Sequence, residues 1–455
     1  MYKPWTLPQQ QVYIFVNINI VDPVKGKILP GQNVRIADGE IVSITPLPDN
    51  DITAPGDDPA AYFHPLNGEI LINSAGKYLC PGLIDSHVHL TSVPGSADLK
   101  SSMSTPATVS YFRQPFQCKA MLERGYTTVR DCGGATLALK EAIAEGVFPG
   151  PRLFIAGQGL SQTGGHGDRR GAHESAGTLG CCGGGGAAPE GLSTVVDGVP
   201  AVLQAARTQF RQGADFLKLM AGGGVASPTD RLSNVQFGRD EMRAAADVAS
   251  SYDSFATAHA YTPRAIRRAV ESGVRGIEHG NFLDAETARL MADAGVYLTP
   301  TLVTYQAMAD PKYAAFLPAE NQEKNRQVLE RGLESVQIAH EAGVRMCLGS
   351  DLLSFLGVEQ LGEFGLRARV LGCAEVLRHA TVNPAGMLGQ EDRLGQVREG
   401  FVADLLVLKG NPLEDITVLE RPEENLLAVI KEGRVYSSRW SRLPVDVYER
   451  KRLIE

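Results

Sequence analysis

The chain has 455 residues, of which 43% are hydrophobic and 21% charged, and its net charge is −8. This suits an enzyme with a large core and predicts one large unit plus a smaller one. No basic run or basic amphipathic helix is present, so nucleic acid and anionic membrane surfaces are poor partners. Seven cysteines at unrepeated spacings argue against a disulfide framework or a zinc ribbon and favour reduced thiols. No signal-like start and no apolar run near the roughly 20 residues that cross a bilayer are found, which predicts a cytoplasmic protein.

In chain order, β-branched runs come first, at 12–21, 33–37 and 41–44, separated by Asp22-Pro23, Pro30-Gly31 and Asp38-Gly39. From residue 83 the texture changes. Strand candidates at 83–89, 127–131, 152–156, 216–220, 256–259, 276–279, 297–301 and 345–350 alternate with helical stretches. In the stretch 263–271, for example, Ala265, Ile266, Ala269 and Val270 share one face. Eight such repeats are what a (β/α)₈ TIM barrel requires. Short strands return at 403–408 and 427–430. The expected architecture is α/β: a barrel over 81–390, with a small β-sandwich domain built from 1–80 and 391–455. Residues 164–191 are glycine-rich and predict a mobile loop or lid after the third barrel strand; no Gly-Lys-Ser/Thr follows to suggest phosphate binding.

Chemistry concentrates at the ends of the barrel strands. His87 and His89 stand two apart on one strand, so both side chains point the same way and can grip one ion. His259 and His279 end successive strands, and Asp351 ends the eighth. Lys218 sits in an apolar strand, where a bare ammonium is costly. It either snorkels to the strand end, stays neutral, or is carbamylated by CO₂ into a carboxylate able to bridge two cations. Side chains at strand C-termini converge on the barrel mouth, which makes these six residues one candidate site. Arg130-Asp131 reads as a structural ion pair, and Arg169 and Arg170 as solvated loop residues.

The stretch Pro81-Gly82-Leu83-Ile84-Asp85-Ser86-His87-Val88-His89 resembles the first-strand signature of the amidohydrolase superfamily. Gly213 to Lys218, Ala258-His259-Ala260, Gly276 to Gly280 and Gly349-Ser350-Asp351 resemble its later signatures. The Asp38 to Ile41 turn, Asn383-Pro384-Ala385 and the Gly400 to Leu405 stretch extend the likeness over nearly the whole chain. The subgroup is the one related to imidazolonepropionase, with Xaa-Pro dipeptidases, lysine/arginine carboxypeptidases and ochratoxin-hydrolysing amidases. The resemblance implies a binuclear hydrolase of carbon–nitrogen bonds. His87, His89 and Asp351 would hold one divalent metal, His259 and His279 the other, with carbamylated Lys218 bridging them. Zinc is the default ion. Asp351 would move the proton, and His166 and Tyr261 would contact a small amide or dipeptide-like substrate. A homo-oligomer is expected from the relatives. The alternative is a mononuclear deaminase or cyclic-amide hydrolase, which would leave Lys218 unmodified. Leu352-Leu353 and Tyr261 depart from many relatives and bear on substrate choice.

Overall fold

The structure, a computed structural model, describes residues 3–47, 68–171, 173, 191–227 and 229–448. Asn17, Ile18, Asn19 and Ile20 alternate between half-buried and buried in the first strand, β1 (Val12–Asp22). It pairs antiparallel with β2 (Lys27–Ala37), and Asn17, at φ 54°, marks the bulge where the register shifts. Asp38 and Gly39 both take positive φ, which is the turn chemistry that joins β2 to β3 (Glu40–Pro46) as a hairpin. β4 (Glu69–Asn73) and β5 (Tyr78–Pro81) then lie parallel to β1.

The middle of the chain is parallel. β6 (Leu83–Val88), β7 (Tyr126–Asp131) and β8 (Arg152–Ile155) form one three-stranded sheet. The second sheet holds β9 (Gly159–Ser161), β10 (Ser193–Val195), β11 (Leu217–Met220), β12 (Ala256–Ala260), β13 (Gly276–His279) and β14 (Tyr297–Thr299), in the order β10-β9-β11-β12-β13-β14. Thr262 caps the helix Pro263–Glu271, whose Ala265, Ile266 and Ala269 are buried.

Seven of the eight strand candidates are strands, and the eighth is not. Residues 345–351 make a single parallel bridge, Leu298 to Met346. Their other backbone groups bond elsewhere: Leu348 N donates to His379 O at 2.6 Å, Ser350 N to the Asp85 carboxylate at 3.1 Å, and Asp351 N to His87 O at 2.8 Å. Ser86 N donates to Leu348 O at 2.8 Å, so the segment lies between β14 and β6 without a regular ladder. The parallel strands accordingly form two sheets, and no closed ring of strands is seen among the described residues.

The chain ends come together in one sheet. β15 (Leu405–Leu408) runs antiparallel to β5, with Leu406 opposite Cys80, and β16 (Leu426–Lys431) and β17 (Arg434–Ser438) follow. The path is β17-β16-β15-β5-β1-β2-β3, with β4 also on β1. Tyr13, Phe15, Ile36, Leu405, Val407 and Ile430 share a core. Ile41 in β3 and Val435 in β17, at opposite ends of the path, reach that same core, so the sheet curls over it. Because β15 bonds both β5 and β16, the ladder is one eight-stranded sheet where the sequence suggested two facing ones.

Five cysteines in the described residues are free thiols, and four of them are buried. Cys181 and Cys182, with most of the glycine-rich 164–191 stretch, lie outside the described residues. No described helix is long and apolar enough to cross a membrane.

Asp85 links β6 to the irregular eighth segment. Its carboxylate accepts from His87 N and Ser350 N at 3.1 Å, Ser350 Oγ at 2.6 Å and Gln360 Nε2 at 2.8 Å. Burial pushes this carboxyl up, and the four donors pull against that. An amide in its place would turn N–H groups toward donors. Asp85→Asn should therefore lower stability by about 1–3 kcal/mol in urea unfolding; an unchanged midpoint would remove this link.

Candidate metal centre

A ring nitrogen that contacts a carbonyl or carboxylate must carry the proton, because those oxygens only accept. His87 Nδ1–H donates to Glu278 Oε2 at 2.8 Å, and His89 Nδ1–H to Gly133 O at 3.0 Å. Both therefore present Nε2 as a lone pair. His259 is reversed: Nε2–H donates to Gly223 O at 3.1 Å, leaving Nδ1 free. His279 Nδ1 lies 2.8 Å from Thr301 Oγ1 and 3.0 Å from Tyr305 Oη, which turns its Nε2 the other way. Each ring is thus oriented by a bond on the side away from a prospective ligand.

The rings form one cluster. His87 lies 5.2 Å from His89 and 4.9 Å from His279, and His279 lies 4.7 Å from His259, centroid to centroid. Asp351 Oδ1 is 3.4 Å from His87 Nε2 and 3.3 Å from His89 Nε2. Those edges fit a tetrahedron whose corners lie about 2.0–2.1 Å from its centre, the bond length of zinc to nitrogen or oxygen. The structure thus brings five of the six predicted residues into contact, three of them spaced to hold one ion.

Lys218, the sixth, is 1% exposed, pairs through its backbone in β11, and its ammonium makes no hydrogen bond or ion pair among the described residues. Its charge nonetheless acts on His87, His89, His259, His279 and Asp351. A buried cation facing imidazoles with no partner of its own is out of place, and a carbamate there would reverse the sign.

Electrostatics keep the donors available. Burial, reinforced by Lys218 and neighbouring histidines, holds His87, His259 and His279 well below the ordinary imidazole value. They are neutral, as metal ligands must be. For His89, burial lowers the value, but the neighbouring carboxylates of Asp351 and Asp131 raise it overall. Burial raises Asp351, and His87 and His89 bring it below the usual carboxylate range.

Beneath the ligands lies a hub that the sequence did not reveal. Arg130 bonds Glu278 Oε1 and Oε2 at 2.6 and 2.7 Å, and Thr257 Oγ1 donates to the same carboxylate. The expected Arg130–Asp131 pair is thus incorrect. Neighbours on a strand point to opposite faces, and Asp131 instead accepts from Leu90 N, Gly133 N and Ala135 N. His87, Cys132 and Glu278 are also close enough to form a ligand group, but the Arg130 guanidinium already neutralises it.

Of the two expected substrate contacts, His166 stacks on His259 at 4.1 Å. Tyr261 packs against His259 and His279 at 4.9 and 5.2 Å, with its hydroxyl 2.8 Å from that of Tyr305. Arg170 pairs with Asp168 at 2.7 Å, and Arg169 Nη1 donates to Met103 O. Gly223 and Gly224, which lack a phosphate-binding sequence, serve close packing. A Cβ on Gly223 would lie 1.9 Å from Arg231 O, and one on Gly224 2.0 Å from the His166 ring.

Known proteins resemble this chain in sequence and fold. Residues 78–436 match the model of the amidohydrolase family. The ochratoxinase of Aspergillus niger is 31% identical over 366 residues, covering 79% of this chain and 75% of that protein. The crystal structure of a prolidase complexed with N-methylphosphonate-L-proline is 39% identical, with TM-score 0.86 over 94% of this chain and 100% of that one. A Xaa-Pro dipeptidase with bound methionine is 28% identical, with TM-score 0.78 over 94% and 100%. These likenesses carry a TIM-barrel-like α/β fold. With the family model matched over most of its length, the chain belongs to the amidohydrolase family, in the subgroup of ochratoxinase and the Xaa-Pro dipeptidases, and is a hydrolase of amide bonds.

Proposed function

We propose a binuclear metal-dependent amidohydrolase that cleaves the amide or peptide bond of a small N-acyl amino acid or dipeptide-like substrate. One observation carries this reading: four clustered, oriented imidazoles all feel the charge of a buried lysine whose ammonium has no partner among the described residues. His87, His89 and Asp351 would hold one cation, and His259 and His279 the other, with carbamylated Lys218 between them. Carbamylation joins the lysine nitrogen to CO₂ with loss of two protons from the ammonium, replacing a charge that repels cations by one that attracts them. Zinc suits this donor set, and manganese or cobalt also fits. Two such ions supply Lewis acidity for the scissile carbonyl and an activated water.

The protein's own contribution is to place groups. Asp351 is the most exposed of the first trio, its side chain 20% accessible against 1% for His87 and 9% for His89. It turns Oδ1 to both histidines and leaves Oδ2 to take a proton and return it to the leaving amine. His166 and Tyr261, which pack against the ligand rings, would hold the substrate. We assign this chemistry to a catalytic unit at 81–390, with 1–80 and 391–455 as the accompanying β-domain. The prolidase and ochratoxinase likenesses favour a substrate that is an amide of an amino acid.

Metal analysis of the purified protein should find two equivalents per chain. A panel of N-acyl amino acids and dipeptides ending in Pro, Lys, Arg or Phe should include a substrate. One equivalent and no amide hydrolysed would favour the mononuclear deaminase reading instead. Asp351→Asn should cut kcat by about 10²–10⁴-fold with metal retained; full activity would end its proton-transfer role. Glu278→Gln should weaken metal binding by about 10–100-fold in chelator competition. It should also cost about 3–5 kcal/mol in urea unfolding, because Arg130 is left as an uncompensated buried charge.

A further inference from the structure

Beside the ligand cluster, Gly224, Ser227, Asp230 and Gln236 form a hydrogen-bonded turn that reaches His166. His166 Nδ1 lies 2.8 Å from Ser227 Oγ. Ser227 Oγ in turn donates to Asp230 Oδ1 and lies 3.2 Å from Gly224 O. A carboxylate and a carbonyl only accept, so the single Ser227 proton is directed to one of them and away from the imidazole. Ser227 Oγ can then only accept from His166 Nδ1–H.

Asp230 is itself fastened. Its Oδ2 accepts from Gly224 N at 3.1 Å and Gln236 Nε2 at 2.9 Å, and Lys324 Nζ lies 3.7 Å from Oδ1. Lys324 also donates to Gly224 O and Ser227 O at 3.2 and 3.0 Å, and Asn321 Nδ2 to Ser227 O at 3.3 Å, so the helix Ala319–Glu341 braces the turn. The absence of a side chain on Gly224 lets the turn close against the His166 ring. On its other face that ring stacks on His259 at an interplanar angle of 18°. Its Nε2 has no hydrogen-bond partner among the described residues.

We propose that Ser227 and Asp230 are positioning residues that hold His166 as its Nδ1–H tautomer, so that Nε2 meets the substrate as a pre-oriented polar contact. This deepens the amide-hydrolase reading and rests on it for the substrate. The relay acts through His166 and not through the metals. Removing it loosens substrate binding while metal content stays constant.

Two measurements on the metal-loaded full chain test this. With the best amide of the panel, Ser227→Ala and Asp230→Asn should each raise KM about tenfold, with kcat changed less than about threefold. Ser227→Thr, which keeps the hydroxyl, should restore KM. In a His166→Ala background Ser227→Ala should add nothing, whereas additive losses would mean a general structural role and overturn the proposal. Independently of any substrate, long-range ¹H–¹⁵N spectra of ¹⁵N-histidine protein should show His166 protonated at Nδ1. The Nε2–H form should gain population in Ser227→Ala. An unchanged tautomer in that variant overturns the relay. If the wild-type chain hydrolyses no amide, the functional reading fails and the tautomer spectra alone decide the positioning claim.

Discussion

At the centre of the molecule the Glu278 carboxylate is fully buried, and Arg130, Thr257 and His87 all donate to it. An isolated carboxylate there would pay a large desolvation cost, and so would the equally buried Arg130. Paired and bonded, they become a joint. Glu278 comes from β13, Thr257 from β12, Arg130 from β7 and His87 from β6, so the joint spans both parallel sheets where no backbone ladder joins them. The burial that makes the charges costly also makes the link specific: removing either partner strands the other.

The candidate ligands rest on that joint through strained backbone. His279 and Asp351 have φ of 72° and 49°, a left-handed conformation that costs a side-chain-bearing residue about 1–3 kcal/mol. Asp351 is kept there by its amide bond to His87 O and by Asp85, which clamps the preceding Ser350 through N and Oγ. The strain turns each side chain off the strand direction toward the common centre. This placement costs local stability, which the surrounding bonds offset.

A second layer decides which atoms face inward. Carbonyls of Gly133 and Gly223, the Glu278 carboxylate and the Thr301 and Tyr305 hydroxyls each take one side of a ring, and the opposite nitrogen is what remains for chemistry. The low-dielectric setting keeps three of the four rings neutral, so they offer lone pairs rather than repel a cation. Lys218 alone contradicts this pattern, and the proposed carbamate rests on that contradiction.

The sequence by itself determined which residues end strands and which side chains share a face. Those are properties of neighbours a few positions apart, and the strand period of two is enough to make His87 and His89 a pair. It also marked Lys218 as anomalous, since an apolar strand has no local use for a charge. Only the tertiary structure could decide partners distant in sequence. Arg130 meets Glu278 from 148 positions away, His166 meets Ser227 from 61, and Ser350 meets Asp85 from 265. The eighth segment shows the same division. Its composition reads as strand, yet its amides go to Asp85, His379 O and His87 O, acceptors that exist only once the chain has folded. Local periodicity places a side chain on a face; which hydrogen bond satisfies it, and hence which ring nitrogen is free, is set by whatever the fold brings opposite.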